Sequence, residues 1–87
     1  MYYIYIIQSE KDNSYYIGSS FDPNKRLLEH NSGKTTYTKL HRPWKLVFAQ
    51  KFDSEEQARK MEKKLKSFKS RSILQQIIAD GFIKTSI

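Results

Sequence analysis

The chain contains no cysteine, which excludes a disulfide framework and any thiolate metal site. Long apolar runs are also missing: the opening stretch Met1 to Ile7 is far too short to span a bilayer. That stretch has neither a basic leader nor a small-residue cleavage site, so no secretory signal is expected. Acidic residues are scarce, 9 Asp and Glu against 16 Lys and Arg, which gives a net charge of +7 and a pI near 9.7. So large an excess on 87 residues points to a polyanionic partner, nucleic acid before a membrane surface. No linker, internal repeat or low-complexity segment interrupts the sequence. One cytoplasmic domain spanning residues 1–87 is the expectation.

Tyrosine, by contrast, is concentrated. Five of the six tyrosines (Tyr2, Tyr3, Tyr5, Tyr15 and Tyr16) fall between Tyr2 and Gly18, in two apolar stretches separated by the polar turn Ser9 to Ser14. Read as a hairpin, Ile4 and Ile6 share one face of the first strand, while Tyr3, Tyr5 and Ile7 share the other. An antiparallel register that stacks Ile4 and Ile6 against Ile17 buries a continuous apolar face. The same register puts Tyr5 and Tyr16 together on the opposite face, because a one-residue slip would mix the two sets. Gly18 removes a side chain beside them and is expected to leave room for a ligand or another backbone. The plainer role for these phenols is to cover a sheet beneath a helix.

Further along, Asp22-Pro23 starts a helix with Asp22 as N-cap, running to about His30 and stopped by Asn31-Ser32-Gly33. Leu27 and Leu28 give it a narrow apolar stripe, and Arg26 and His30 stack one turn apart on one face. Gly33 to Pro43 is expected to be a basic loop carrying Lys34, Lys39, His41 and Arg42. Trp44 to Phe52 alternates as a third strand, with Trp44, Leu46, Phe48 and Phe52 on one side and Lys45 and Lys51 on the other. Asp53 or Ser54 caps a helix whose buried stripe is Ala58, Met61, Leu65 and Phe68. At roughly 100° per residue, Glu62 lies about 40° beyond the edge of that stripe, bordering the core. The densest basic segment, Arg59 to Arg71, begins on this helix and holds one acidic residue, Glu62. A last helix starts at Ser70 or Ser72, packs Ile73, Leu74, Ile77 and Ile78 inward and ends at Gly81, with Phe82-Ile83 folding back. The resulting architecture is α/β (α+β), a three-stranded antiparallel sheet flanked by helices in the order β-β-α-β-α-α.

With these residues placed, the chain resembles the GIY-YIG nuclease domains. The two tripeptides of that name correspond to Tyr3-Ile4-Tyr5 and Tyr16-Ile17-Gly18, with Tyr3 standing for the first glycine. Arg26 and His30 on the following helix and Glu62 on a later one complete the pattern. The resemblance covers essentially the whole chain. It is closest to small stand-alone bacterial members, which share Tyr16-Ile17-Gly18-Ser19, Glu29-His30-Asn31, Arg42-Pro43-Trp44 and Lys69-Ser70-Arg71. One departure is the asparagine that the family carries in its last helical region. No asparagine follows Asn31 here, leaving Gln75 or Gln76 as amide donors.

What the resemblance implies is hydrolysis of DNA phosphodiesters with one divalent metal, Mg²⁺ or Mn²⁺, held by Glu62. One carboxylate with water and phosphate completing the shell is how Mg²⁺ usually binds. The competing role for Glu62 is an ion pair with Lys66 or Arg59, both at helical neighbour spacing. Tyr5 would be the base or its relay, losing its proton with help from nearby positive charge, since a free phenol titrates near pH 10. Arg26 would fork onto the scissile phosphate. His30 would accept a proton, or else serve structurally at the helix end, and Tyr16 would orient phosphate or nucleophile. Lys34, Lys39, Arg42, Lys63 and Lys66 would track the nucleic-acid backbone. So small a domain has little surface for base readout, so branched or damaged DNA is the expected substrate. The alternative is a nucleic-acid-binding module of the same fold with weak or no cleavage.

Overall fold

The computed structural model describes residues 1–83, so the last residues of the expected 1–87 span, 84–87, lie outside the described residues. Strands β1 (Tyr2–Ser9) and β2 (Tyr15–Ser20) form the hairpin, followed by α1 (Pro23–Ser32), a single turn of helix α2 (Thr36–Lys39) and β3 (Trp44–Phe52). Helices α3 (Glu55–Phe68) and α4 (Arg71–Asp80) follow. The expected order β-β-α-β-α-α is therefore present with one addition, α2, inside the segment read as a basic loop. The antiparallel sheet has the order β2-β1-β3, which makes β1 central and β2 an edge. No described helix is long and apolar enough to cross a membrane.

Register and burial follow the isoleucines. Ile6 lies opposite Ile17, Tyr5 opposite Gly18 and Ile7 opposite Tyr16, so the apolar and phenolic sets separate as alternation requires. One face of the sheet packs Ile4, Ile6, Ile17 and Phe48 against Ala58 and Leu65 of α3 and Ile77 of α4. The other packs Tyr5, Ile7 and Trp44 with Tyr16, Leu46 and Leu27 of α1.

Helix ends are closed by the expected residues. Asp22 accepts from the Lys25 N–H, Ser54 from Gln57 and Ser70 from Ile73. Gly33 and Gly81 take the left-handed conformation that ends α1 and α4. The tail folds back, with the Ile83 N–H donating to Gln50 Oε1 at 2.6 Å.

Three local expectations are corrected. The alternation of β3 is broken by a β-bulge: Ile6 pairs with Phe48 but Ile7 pairs with Leu46, so Val47 is the extra residue. Trp44 and Leu46 therefore join the α1 face, while Phe48 stays on the α3 face. Leu28 belongs to no buried stripe, being 71% exposed. At Gly18 the space is not open to a ligand. A Cβ there would collide with the Tyr5 hydroxyl oxygen and Cζ. Gly18 is the hollow into which the Tyr5 ring lies.

Candidate active site

Burial sets the chemistry around Tyr5. The residue is 1% exposed and its hydroxyl lies 2.9 Å from His30 Nε2, while His30 Nδ1 lies 2.8 Å from Thr38 Oγ1. His30 is fully buried, and burial, reinforced by the Arg26 charge, pulls its pKa down to about 4. Its ring is therefore neutral at pH 7, with one N–H and one acceptor nitrogen. Thr38 Oγ1 has a further acceptor in the Thr35 carbonyl at 3.4 Å. The assignment that gives every group a partner runs one way. The phenol donates to Nε2, Nδ1–H donates to Thr38, and Thr38 donates to Thr35.

The phenol itself departs from expectation. Burial pushes the Tyr5 pKa up, and the neighbouring Arg26 guanidinium, which pulls it down, does not offset that. Tyr16 and Glu62 also act on it, both in the raising direction. Tyr5 is thus a protonated donor at neutral pH, and nearby positive charge does not by itself ionise it.

Arg26 sits on the His30 face of α1, as the spacing requires, with Nη1 on Glu29 Oε1 at 2.5 Å and about a third of its side chain exposed. Tyr16 meets the His30 ring edge-on, with centroids 4.9 Å apart, and stacks on Tyr37 of α2 at 6.1 Å. Asn31 fixes the start of β3 by a pair of hydrogen bonds, accepting from the Trp44 N–H at 2.7 Å and donating to its carbonyl at 3.0 Å.

Glu62 approaches from the α3 side of the sheet. Ser19 Oγ donates to its Oε1 at 2.5 Å and Lys66 Nζ to its Oε2 at 2.7 Å. Of the two candidate ion-pair partners, Lys66 takes Glu62, while Arg59 pairs with Glu55. The Lys66 ammonium also stands 5.8 Å from the centroid of the Tyr16 ring. The five sequence-predicted residues thus come from both faces and gather at the β2 edge. A cleft of about 340 Å³ opens beside them, lined by Tyr15, Tyr16, Ile17, Tyr37, Lys66 and Leu74.

Among the described residues, no group of three His, Cys, Asp or Glu gathers to hold a metal. A divalent cation held here would rest on a single carboxylate, with water completing its shell. Glu62 fits such a role: its carboxylate is partly buried, oriented by Ser19, and paired on its other oxygen with a flexible lysine.

The predicted basic residues divide. Lys66 lines the cleft, whereas Lys63 lies with Glu55, Glu56, Arg59 and Lys60 along a separate open groove of about 580 Å³. Lys34 and Lys39 are exposed around α2. Arg42 holds the loop together, donating to the carbonyls of Lys39 and Asn31. Gln76, a candidate amide donor, is bonded to Asp80. Sequence reasoning missed Ser19, Thr38 and Tyr37, none of which belongs to a tripeptide or a charged pattern. Ser19 carried one signal, its place directly after Gly18.

The chain is similar to known proteins in sequence and fold. A family model for the GIY-YIG catalytic domain matches residues 1–74. A UPF0213 protein of Staphylococcus saprophyticus is 41% identical over 81 residues, covering 92% of this chain and 96% of that one. Another, of Streptococcus pneumoniae, is 46% identical over 65 residues, 74% of this chain and 65% of its own length. Among solved structures, the solution NMR structure of a UPF0213 protein from Bacillus halodurans matches at a TM-score of 0.57 and 34% identity. That match covers 91% of this chain and 84% of that one.

Proposed function

We propose that this chain, which belongs to the GIY-YIG catalytic-domain family, is a metal-dependent DNA endonuclease that hydrolyses phosphodiesters at the β2 edge. The observation that carries this reading is the meeting of Tyr5, Tyr16, Arg26 and His30 from one face with Glu62 from the other. Arg26, stationed beside Tyr5 and reached by water, is the group that grips a phosphate oxygen. Glu62 is the residue that holds a divalent cation, which when bound supplies positive charge to the phosphate as negative charge develops.

Tyr5 acts as a relay. Its raised pKa rules against a standing phenolate, so its oxygen takes a proton from the attacking water as its own proton passes to His30 Nε2. Arg26 favours departure of the Tyr5 proton, while its charge opposes a lasting imidazolium at His30, so the proton passes onward from His30 and does not rest there. His30 is poised to receive the proton because it is neutral and its acceptor nitrogen is aimed by Thr38. Tyr16 borders the cleft and orients the incoming phosphate. With few side chains free to read bases, branched or damaged DNA is the substrate class this site suits.

A second reading, a binding module with little cleavage, is favoured by the neutralised state of the two charges. Arg26 is paired with Glu29 and Glu62 with Lys66. Incubation of branched, nicked and single-stranded DNA with Mg²⁺ or Mn²⁺ separates the two. The endonuclease cuts at least one of them, and Glu62→Ala does not. Salt-sensitive binding without cutting assigns the binding module instead.

A further inference from the structure

We propose that Lys66 gates the metal site. Its ammonium occupies Glu62 Oε2 in the free protein, and yields that oxygen to a divalent cation as it moves onto a nucleic-acid phosphate. This rests on Glu62 being the metal-holding carboxylate.

The two oxygens of Glu62 are held by different kinds of partner. Oε1 takes a hydrogen bond from Ser19, a short side chain on a strand, which fixes the plane of the carboxylate. Oε2 takes its bond from Lys66, one turn along the same helix, at the end of a flexible stem and half exposed. An i,i+4 pair with a half-exposed lysine is a weak one, so the ammonium leaves cheaply. A second cation on the same carboxylate displaces it, because like charges at contact distance repel, more strongly near a protein surface than in water.

Its destination is set by what else it faces. The ammonium lies over the Tyr16 ring and lines the cleft along the β2 edge. Other acids of α3 are engaged elsewhere, Glu55 with Arg59 and Glu56 with Lys60. A phosphate in the cleft is then the nearest new anion. One side chain thereby opposes cation binding in the free protein and favours it when nucleic acid is bound, a positive coupling between two ligands. The free protein is kept from loading metal, and the complex is helped to.

The test measures Mn²⁺ binding directly, from the electron paramagnetic resonance signal of free Mn²⁺. Without nucleic acid, Lys66→Met binds Mn²⁺ about tenfold more tightly than wild type, the scale expected for removing one adjacent like charge. Lys66→Arg, which keeps the charge, does not. A DNA hairpin with a single-stranded tail and phosphorothioate linkages tightens Mn²⁺ binding to wild type, and Lys66→Met loses that gain. Lys66→Gln gives the same result if the Met variant self-associates. Mn²⁺ binding that is lost in Glu62→Gln yet unaffected by Lys66→Met and Lys66→Gln overturns the gate alone. Binding that survives Glu62→Gln overturns the assignment of Glu62, and the gate with it. Mn²⁺ that binds neither wild type nor Lys66→Met overturns both.

Discussion

One face of the sheet is closed by α3 and α4 over Ile4, Ile6, Ile17 and Phe48, the other by α1 over Tyr5, Ile7, Tyr16 and Trp44. The same three strands make both, by alternation. The first face is held mainly by apolar contact, which is non-directional and scales with the area removed from water, with the Ser19–Glu62 hydrogen bond at its edge. The second is held by direction as well. Tyr5 is aimed at His30, His30 at Thr38, and Trp44 Nε1 donates to the Thr38 carbonyl at 2.7 Å. Thr38 therefore serves two buried rings at once, one through its side chain and one through its backbone. Among the described residues, no buried side-chain polar atom is left without a partner, as a low-dielectric network demands. The labour is divided: the isoleucine face buries the larger apolar cluster, and the phenol face uses its packing to hold polar groups at fixed distances.

The largest expected effect lies on the phenol face. Tyr5→Phe keeps the ring in the hollow of Gly18 but removes the relay, so cleavage falls by about 10²–10⁴. Stability changes by only about 1–2 kcal/mol, the worth of one buried hydrogen bond and its stranded acceptor. Ile6→Ala should do the reverse, lowering stability by about 2–5 kcal/mol while the rate per folded molecule is kept. Urea unfolding of both variants beside their initial cleavage rates checks the pair. A Tyr5→Phe protein that unfolds as readily as Ile6→Ala would break the division of labour.

Much of this division was legible in the residues. The spacing of Ile4, Ile6 and Ile17 sets the register, and that register puts Tyr5 and Tyr16 on one face. Asp22, Ser54 and Ser70 announce their helices because each is a short acceptor before a helical run. What stayed hidden depends on neighbours distant in sequence. In an ideal strand Trp44, Leu46, Phe48 and Phe52 share one side of β3, and only pairing with β1 reveals the extra residue at Val47. Gly18 signals missing volume but not that the Tyr5 ring fills it. Arg59 and Lys66 both stand at helical-neighbour spacing from Glu62, three residues before and four after it, and Glu55, which takes Arg59, leaves Lys66 as the partner. The protonation of Tyr5 turns on burial, which outweighs a charge that the sequence does show.

A smaller effect sharpens the comparison through pH. His30 in the folded protein protonates at about 4 instead of the ordinary 6.5. As pH falls, the unfolded chain takes up this proton first, so folding is penalised in between. The contribution of His30 is whole above pH 6.5, declines as pH drops from 6.5 towards 4, and levels off below that. The loss is of order 3 kcal/mol at most. His30→Gln removes this slope, so unfolding midpoints of wild type and variant should converge between neutral pH and pH 4. Parallel pH profiles for the two proteins would mean that His30 is not held neutral by its surroundings.

The smallest effect falls on the residue that joins the network together. Thr38→Val keeps the shape and the backbone carbonyl that receives Trp44, but it takes away the oxygen on His30 Nδ1. A buried N–H without a partner costs about 1–3 kcal/mol. The ring has a way to reduce that cost, by moving its proton to Nε2, and Tyr5 must then become the acceptor in place of the donor. Nitrogen chemical shifts of the His30 ring distinguish the two tautomers: Nδ1–H in wild type, with a growing share of Nε2–H in Thr38→Val. Ile4→Val on the opposite face costs a comparable amount, about 0.5–1.5 kcal/mol, and should leave those shifts where they are. Equal disturbance of the His30 ring by both variants would mean that the two faces move as one core. Disturbance by Thr38→Val alone would mean that orientation on the phenol face is set by its hydrogen bonds and not by packing beneath the sheet.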